Sequence, residues 1–349
     1  MRNELSLPQF VGGGAFQADL AARVHAYFEG ASRSRHGGAA IGLKAALMLG
    51  WLFGSWALLM FAHPDFWVAV LLAISVGFAM AGVGFSVMHD ANHDASSSNR
   101  GLNRALSYSL DLLGASSVLW RHKHNVMHHT YTNVSGSDPD LEGGKPLLRL
   151  APWQERRPWH RFQHLYVWFL YGFFPLKWWF VDDLRDLVRR RVRGLPLAGA
   201  LAGKVVFIFW AFALPALLHP TWALIALWAV AIVTLGNVLA SVFQLAHCVG
   251  DADFVDPADV TGWAQHQVAT TVDFAPRNRL LSWYLGGLNF QVEHHLFARV
   301  CHVHYRALSR IVEETCREHN LRYRCRPTLL GALAANVRWL QQMGSPSAA

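Results

Sequence analysis

Residues 66–93 read FWVAVLLAISVGFAMAGVGFSVMHDANH. Nothing between 66 and 88 is charged, and two histidines four residues apart, His89 and His93, come next with no break. A helix rises 1.5 Å per residue, so about 20 apolar residues cross a hydrocarbon layer of ~30 Å. This run is long enough to cross and project beyond. Helical positions i and i+4 share a face, so both imidazoles leave the membrane on one side of one helix.

Three more uncharged runs lie at 45–62, 205–218 and 221–246. The run at 205–218 is short. It becomes a span if it borrows 197–203 and Lys204 faces a polar surface or another helix. The expected spans are therefore about 43–62, 66–88, 200–218 and 221–246. His63-Pro64-Asp65 separates the first two and His219-Pro220 the last two, each a tight turn free of Lys and Arg. The chain reads as an all-α integral membrane protein with four transmembrane helices in two hairpins.

Composition agrees. Of 349 residues, 53% are hydrophobic and only 15% charged, against about 25% charged in an average soluble domain. That excludes a disordered chain and a charged coiled coil, and disfavours a pair of soluble domains. Four cysteines with no C-x-x-C pair argue against a disulfide framework and a thiolate zinc site. A net charge of +8 suits nucleic acid, anionic lipid or an acidic substrate. The basic residues collect between and after the apolar runs, which is the positive-inside pattern of a membrane protein, so no nucleic-acid partner is expected. The arm (1–40), the long connection after His89 and the C-terminal part carry the Lys and Arg and belong on the cytoplasmic side. Residues 1–40 hold no secretory signal. Residues 104–120 and 162–181, the latter containing YVWFLYGFFPLKWWFV, are expected to lie in the interface. The domain proper is 41–343, with a disordered tail at 344–349.

Histidine is over-used, at 19 residues. His89 and His93 sit in HDANH, while His122, His124, His128 and His129 sit in HKHNVMHH. His247 closes the fourth run, and His294 and His295 sit in QVEHH. His89/His93 share a helix face, as do His124/His128. His129 turns about 100° from His128 toward a second metal, and His294 and His295 likewise diverge. All four segments emerge on one side if 166–181 stays interfacial. Imidazole-rich ligation suits iron, zinc, copper or nickel. Eight histidines (His89, His93, His124, His128, His129, His247, His294 and His295) are too many for one tetrahedral zinc and fit two metals. Neutral nitrogen ligands at a membrane surface point to iron used with O₂. Asp90, Asp94, Asp138 and Glu293 flank the motifs and are the expected acceptors for the outer imidazole N–H groups. His25, His36, His160, His164 and His319 read as surface residues.

At these motifs the sequence resembles the membrane fatty-acid desaturases. HDANH matches their first histidine box and HNVMHH, from His124, the second. QVEHH matches the third in its front-end form, in which Gln291 replaces a histidine. HHTYTNVSGSDPDL and GGLNFQVEHHLF are similar to bacterial linoleoyl-CoA-type desaturases. The resemblance covers about 40–323. It implies four transmembrane helices under a cytosolic helical cap, two non-haem irons on the box histidines, and one extra histidine, matched in placement by His247. It implies O₂-dependent insertion of a C=C bond into an acyl chain, as acyl-CoA or acyl-lipid, within membrane lipid and with two electrons from outside. The chain departs from the pattern in two ways. Phe243, with Gln244 beside it, stands where stearoyl-CoA desaturases have an asparagine. Gln291 offers one iron an amide or a water, and His122 is a further candidate for such a contact. No flavin, nicotinamide, haem or Fe–S motif is present, and there is no fused cytochrome b5 sequence. A ferredoxin, or cytochrome b5 with its reductase, is therefore the expected donor. The resemblance implies a multi-pass protein of the bacterial inner membrane, with termini and active site cytoplasmic. The same scaffold could also serve a hydroxylase, an acetylenase or a carotenoid- or sphingolipid-modifying oxygenase. A zinc receptor or hydrolase is the rival class. A metal transporter would need ionisable groups inside the spans, and these uncharged runs hold none.

Overall fold

Asp65 ends one turn and starts the next helix: its Oδ1 accepts from the N–H groups of Trp67 and Val68 at 3.0 and 3.1 Å, a standard N-cap. The computed structural model describes residues 7–10, 12–189 and 191–346. Four helices are long and apolar enough to cross a membrane: Gly38–Phe61, Phe66–Asn92, Gly194–Leu218 and Thr221–His247. They form two hairpins whose turns lie side by side, the His63 and His219 rings 6.0 Å apart. Apolar side chains such as Leu43, Leu47, Leu71, Val205, Phe209 and Ile225 stay exposed on the outside of the bundle.

The second and fourth spans pack closely because Gly77 has no side chain; a Cβ there would lie 2.5 Å from the carbonyl oxygen of Ala231. The helix Gln163–Lys177 starts in the cap, where the Gln163 amide bonds Arg149 and Leu340. It then crosses the fourth span at Gly236, where a Cβ would meet the Tyr171 carbonyl, and its continuation sets Trp179 against Phe207 of the third span, with ring centroids 4.8 Å apart. Leu165, Phe169 and Phe173 form its exposed apolar stripe. Residues 100–121 are broken into short helices. Gly114, at φ +98°, breaks them, and Trp210 Nε1 of the third span donates to Leu112 O at 3.0 Å.

The first and third spans run further than their uncharged cores and take in Lys44 and Lys204, so the expectation of spans free of ionisable groups is corrected. Both lysines are buried and partnered, which is what makes them tolerable. Lys44 Nζ lies 2.9 Å from His302 Nε2. Lys204 Nζ lies 2.9 Å from Asp183 Oδ2, 3.0 Å from Trp179 O and against Gly114 O.

The arm is part of the cap rather than a separate segment. Its helix Ala15–Glu29 buries Phe16, Leu20, Val24 and Phe28, an i, i+4 stripe, against Leu308, Val312 and Cys316 of the helix Tyr305–Glu318. The C-terminal helix Leu329–Gly344 is equally integral: Gly344 is buried and sits on the His160 backbone. The disordered tail expected from 344 therefore does not begin there, and residues 347–349 lie outside the described ones. His160 is not a surface residue. It is buried, with Nδ1 on the Arg157 N–H and Nε2 on Pro146 O, each at 3.0 Å.

The turn before the third histidine motif leans on the second span. Gly286 has φ +58°, and a Cβ there would lie 2.3 Å from Phe85 O. Gly286→Ala should lose at least about 1–2 kcal/mol from the left-handed backbone alone and lower the unfolding temperature in detergent. Gly199→Ala, with nothing within 4 Å of the new methyl, should leave it unchanged.

Candidate metal centre

The second span does not stay α-helical to its end. Gly84–Met88 form a π-turn just before His89, and the inserted residue rotates the next helical turn by roughly 100°. The second histidine motif is itself a π-helix, His122–His128. Such turns close i→i+5, so His129, not only His128, comes back over His124: their Nε2 atoms are 3.2 Å apart. Asn92 pins the two motifs together, accepting from Arg121 Nε at 2.8 Å and receiving Asn125 Nδ2 on its carbonyl at 2.9 Å.

Four segments then meet. One ligand atom from each of His89, His93, His124 and His294 lies within 4.8 Å of the others, and the same holds for His128, His247 and His295. His129 stands between the two pockets, grouped with His294 and His295. His124 and His128, which spacing directs at one metal, do lie together, grouped with Asp140, while His124 also stands with His89, His93 and His294 and His128 with His247 and His295. All eight imidazoles are buried.

The outer nitrogens of four of them are held, while Nδ1 of His89 and of His129 is buried without a partner. His128 Nδ1 lies 3.2 Å from both Asp138 oxygens. His295 Nδ1 meets Gln267 Oε1 at 3.0 Å and Thr132 Oγ1 at 3.1 Å. His294 Nδ1 meets the Tyr305 hydroxyl at 3.2 Å, and His247 Nδ1 the Thr270 carbonyl at 3.4 Å. The inner nitrogens are not held. Nε2 of His93, His247, His294 and His295 has no hydrogen-bond partner, and Nε2 of His89 and His129 each meets only His124 Nε2, at 3.2 Å. Burial first, and the neighbouring rings second, push His93, His124, His129, His294 and His295 well below the usual imidazole range. They are neutral donors. Burial also works against the His128 cation, but the Asp138 and Asp140 charges outweigh it and raise that group to about 9.

The remaining expected residues divide. Gln291 is buried, donates from Nε2 to Leu288 O at 2.9 Å, and lies against the His247 ring. Asp138 takes the expected supporting place. Asp90 is 4.0 Å from His89 Nδ1. Its close partners are His302 Nδ1 at 2.7 Å, the His302 N–H at 3.2 Å and Cys301 Sγ at 3.2 Å. With Lys44 on the far side of His302, this trio is a closed polar knot rather than a cation pocket. Glu293 turns away from the imidazoles toward Tyr323, 3.1 Å away, and Asp273; burial and then Asp273 raise its carboxyl far above the usual range. Asp94 and His122 lie outside both pockets. Thr132, Gln267, Thr270 and Tyr305 escaped the sequence reading. Only Thr132 lies in a quoted motif, and Gln267 and Tyr305 carry no local signal.

A membrane helix bundle that presents a buried shell of inward-facing imidazoles is a membrane metalloprotein in its class. The chain belongs to the fatty acid desaturase family, whose model matches residues 65–327, and it is an enzyme of that family, an oxidoreductase that desaturates acyl chains. It is 38% identical to an sn-1 linoleoyl-lipid 6-desaturase of Arthrospira platensis, over 94% of this chain and 92% of that one. It is 37% identical to an enzyme of the same name from Synechocystis sp., over 95% and 96%. An acyl-lipid (8-3)-desaturase of Physcomitrium patens is 39% identical over 86% of this chain and 66% of its own length.

The two halves of the second motif should separate in metal analysis. His122→Ala should keep the metal content of the purified protein, and His124→Ala should lower it while the chain still inserts in the membrane.

Proposed function

We propose that the chain inserts a C=C bond into an acyl chain carried on a membrane lipid, at two irons, with O₂ as oxidant and two electrons from a separate donor. The observation that carries this is the set of buried, unpartnered Nε2 atoms converging from four segments. Lone pairs left unpaired in a dry interior are costly, and metal ions are their natural partners. His89, His93, His124 and His294 would hold one iron, and His128, His247 and His295 the other. His129 would serve at their junction, and Gln291 would offer its amide, or a water it holds, beside His247. Asp138, Gln267, Thr132, Thr270 and Tyr305 fix the rings by holding their outer nitrogens.

Two irons at such a site supply the O₂-dependent oxidation that removes two hydrogens from adjacent carbons while both oxygen atoms leave as water. The residues of the chain do the rest. Trp120 stacks on His124, with centroids 4.2 Å apart at 22°, and joins the site to the apolar core that holds Met88 and Phe85. The lipid-linked substrate is supported by the names of the relatives, which act on acyl lipids. The Lys/Arg asymmetry supports a cytoplasmic cap and termini, and with them a ferredoxin or a cytochrome b5 and its reductase on that side.

Cells making the chain, supplied with linoleoyl lipids, should accumulate an acyl chain with one more double bond between the existing unsaturation and the ester. Purified enzyme given only NADPH and O₂ should be inert until a ferredoxin or cytochrome b5 system is added. An added hydroxyl in place of a double bond would favour the hydroxylase reading, and turnover without a donor protein would contradict the electron route.

A further inference from the structure

His247 belongs to none of the three histidine motifs, yet its ring centroid stands 4.8 Å from His128 and 4.9 Å from His295. It is the last residue of a 27-residue helix. Helix ends fray, and the last carbonyls have no partner in the helix itself, so something outside must set where this residue sits.

The structure assigns that role to Asn133. Asn133 is fully buried in the left-handed conformation, at φ +54°, just past the second motif. Its side chain donates from Nδ2 to the His247 carbonyl at 3.0 Å and to the Asp253 carbonyl at 3.1 Å. Two carbonyls facing one side-chain atom require a donor, so the amide has one orientation here. The Asn133 backbone N–H reaches Asp138 Oδ2 at 2.9 Å, the carboxylate that holds His128. Its carbonyl accepts from the Val255 N–H at 3.0 Å, and the next residue, Val134, pairs with Val255. One residue thus joins the support of His128 to the end of the fourth span, two parts of the chain brought together from opposite sides of the second pocket.

The residue type fits the demand. Asparagine tolerates the left-handed region far better than most side chains and carries a neutral two-proton donor; aspartate shares the tolerance and lacks the donor. Asn133 is therefore a positioning residue for the second metal pocket. It acts through His247 by its side chain and through Asp138 and His128 by its backbone. This role rests on the two-metal site, and wild-type protein measured in parallel keeps the two apart: fewer than two bound irons in wild type would sink the two-metal site whatever Asn133 does.

Asn133→Gly keeps the backbone conformation and the N–H to Asp138 and removes only the side-chain bonds. Asn133→Asp keeps the shape and replaces the donor with an oxygen. In detergent-purified protein challenged with an iron chelator, both should release one of two irons about 10–100-fold faster than wild type, the usual size of a supporting-residue effect on metal affinity. The slower iron should leave at the wild-type rate. The decisive comparison is on a His247→Ala background, where Asn133→Gly should add nothing, because the residue it positions is gone. Wild-type release from Asn133→Gly would overturn the proposal, and so would an undiminished further loss on the His247→Ala background. So would failure of both variants to insert, which would make Asn133 a folding residue.

Discussion

Burying eight imidazoles with their inner nitrogens unpaired is the constraint on which the rest of the molecule depends. An unsatisfied buried acceptor costs on the order of 1–3 kcal/mol, and here seven Nε2 atoms have either no partner or only other imidazoles. Cations that share those lone pairs would offset that cost, and the cluster could hold them. Both halves of the architecture serve it. The four spans deliver His89, His93 and His247 to one end of the bundle, and the cap packs the second and third motifs on top and closes them off. The cap is itself tied through the arm, whose apolar stripe binds the helix carrying Tyr305, and Tyr305 holds His294.

The polar pins in the spans obey the same logic. Lys204 bonds Asp183 and two backbone carbonyls in the region between the third span and the segment that leads into the second motif. Lys44 reaches His302, which holds Asp90 beside His89. Each buried charge has a partner from a different segment, so each fixes the register of a span against the cap. Replacing one partner alone would strand the other in an apolar setting, which is far costlier than the pair is favourable.

Much of this was legible in the sequence. Long uncharged runs locate the four spans to within a few residues, because hydropathy and length dominate in a bilayer. The i, i+4 histidines and the placement of His247 show which segments must meet. The features that sequence could not give have physical causes. A π-turn is one inserted residue with no composition signal, so the approach of His129 to His124 could not be read from spacing. Gln267 and Tyr305 act through tertiary contacts with no local pattern. Glu293 sits between Val292 and His294 in a helix and faces away from the imidazoles, toward Asp273 and Tyr323. Lys44 and Lys204 lie at the margins of their apolar runs, inside the expected spans, and what sequence could not give is the partner each finds elsewhere in the fold. Phe16, Leu20, Val24 and Phe28 repeat every four residues, but a stripe does not say what covers it.

Whether the eight histidines make two adjacent metal pockets is tested most directly by anomalous diffraction at the iron edge, from crystals of the membrane-extracted protein. Two peaks are predicted, one among His89, His93, His124 and His294 and one among His128, His247 and His295. A single peak, or a second peak away from His247, would contradict the two-pocket centre.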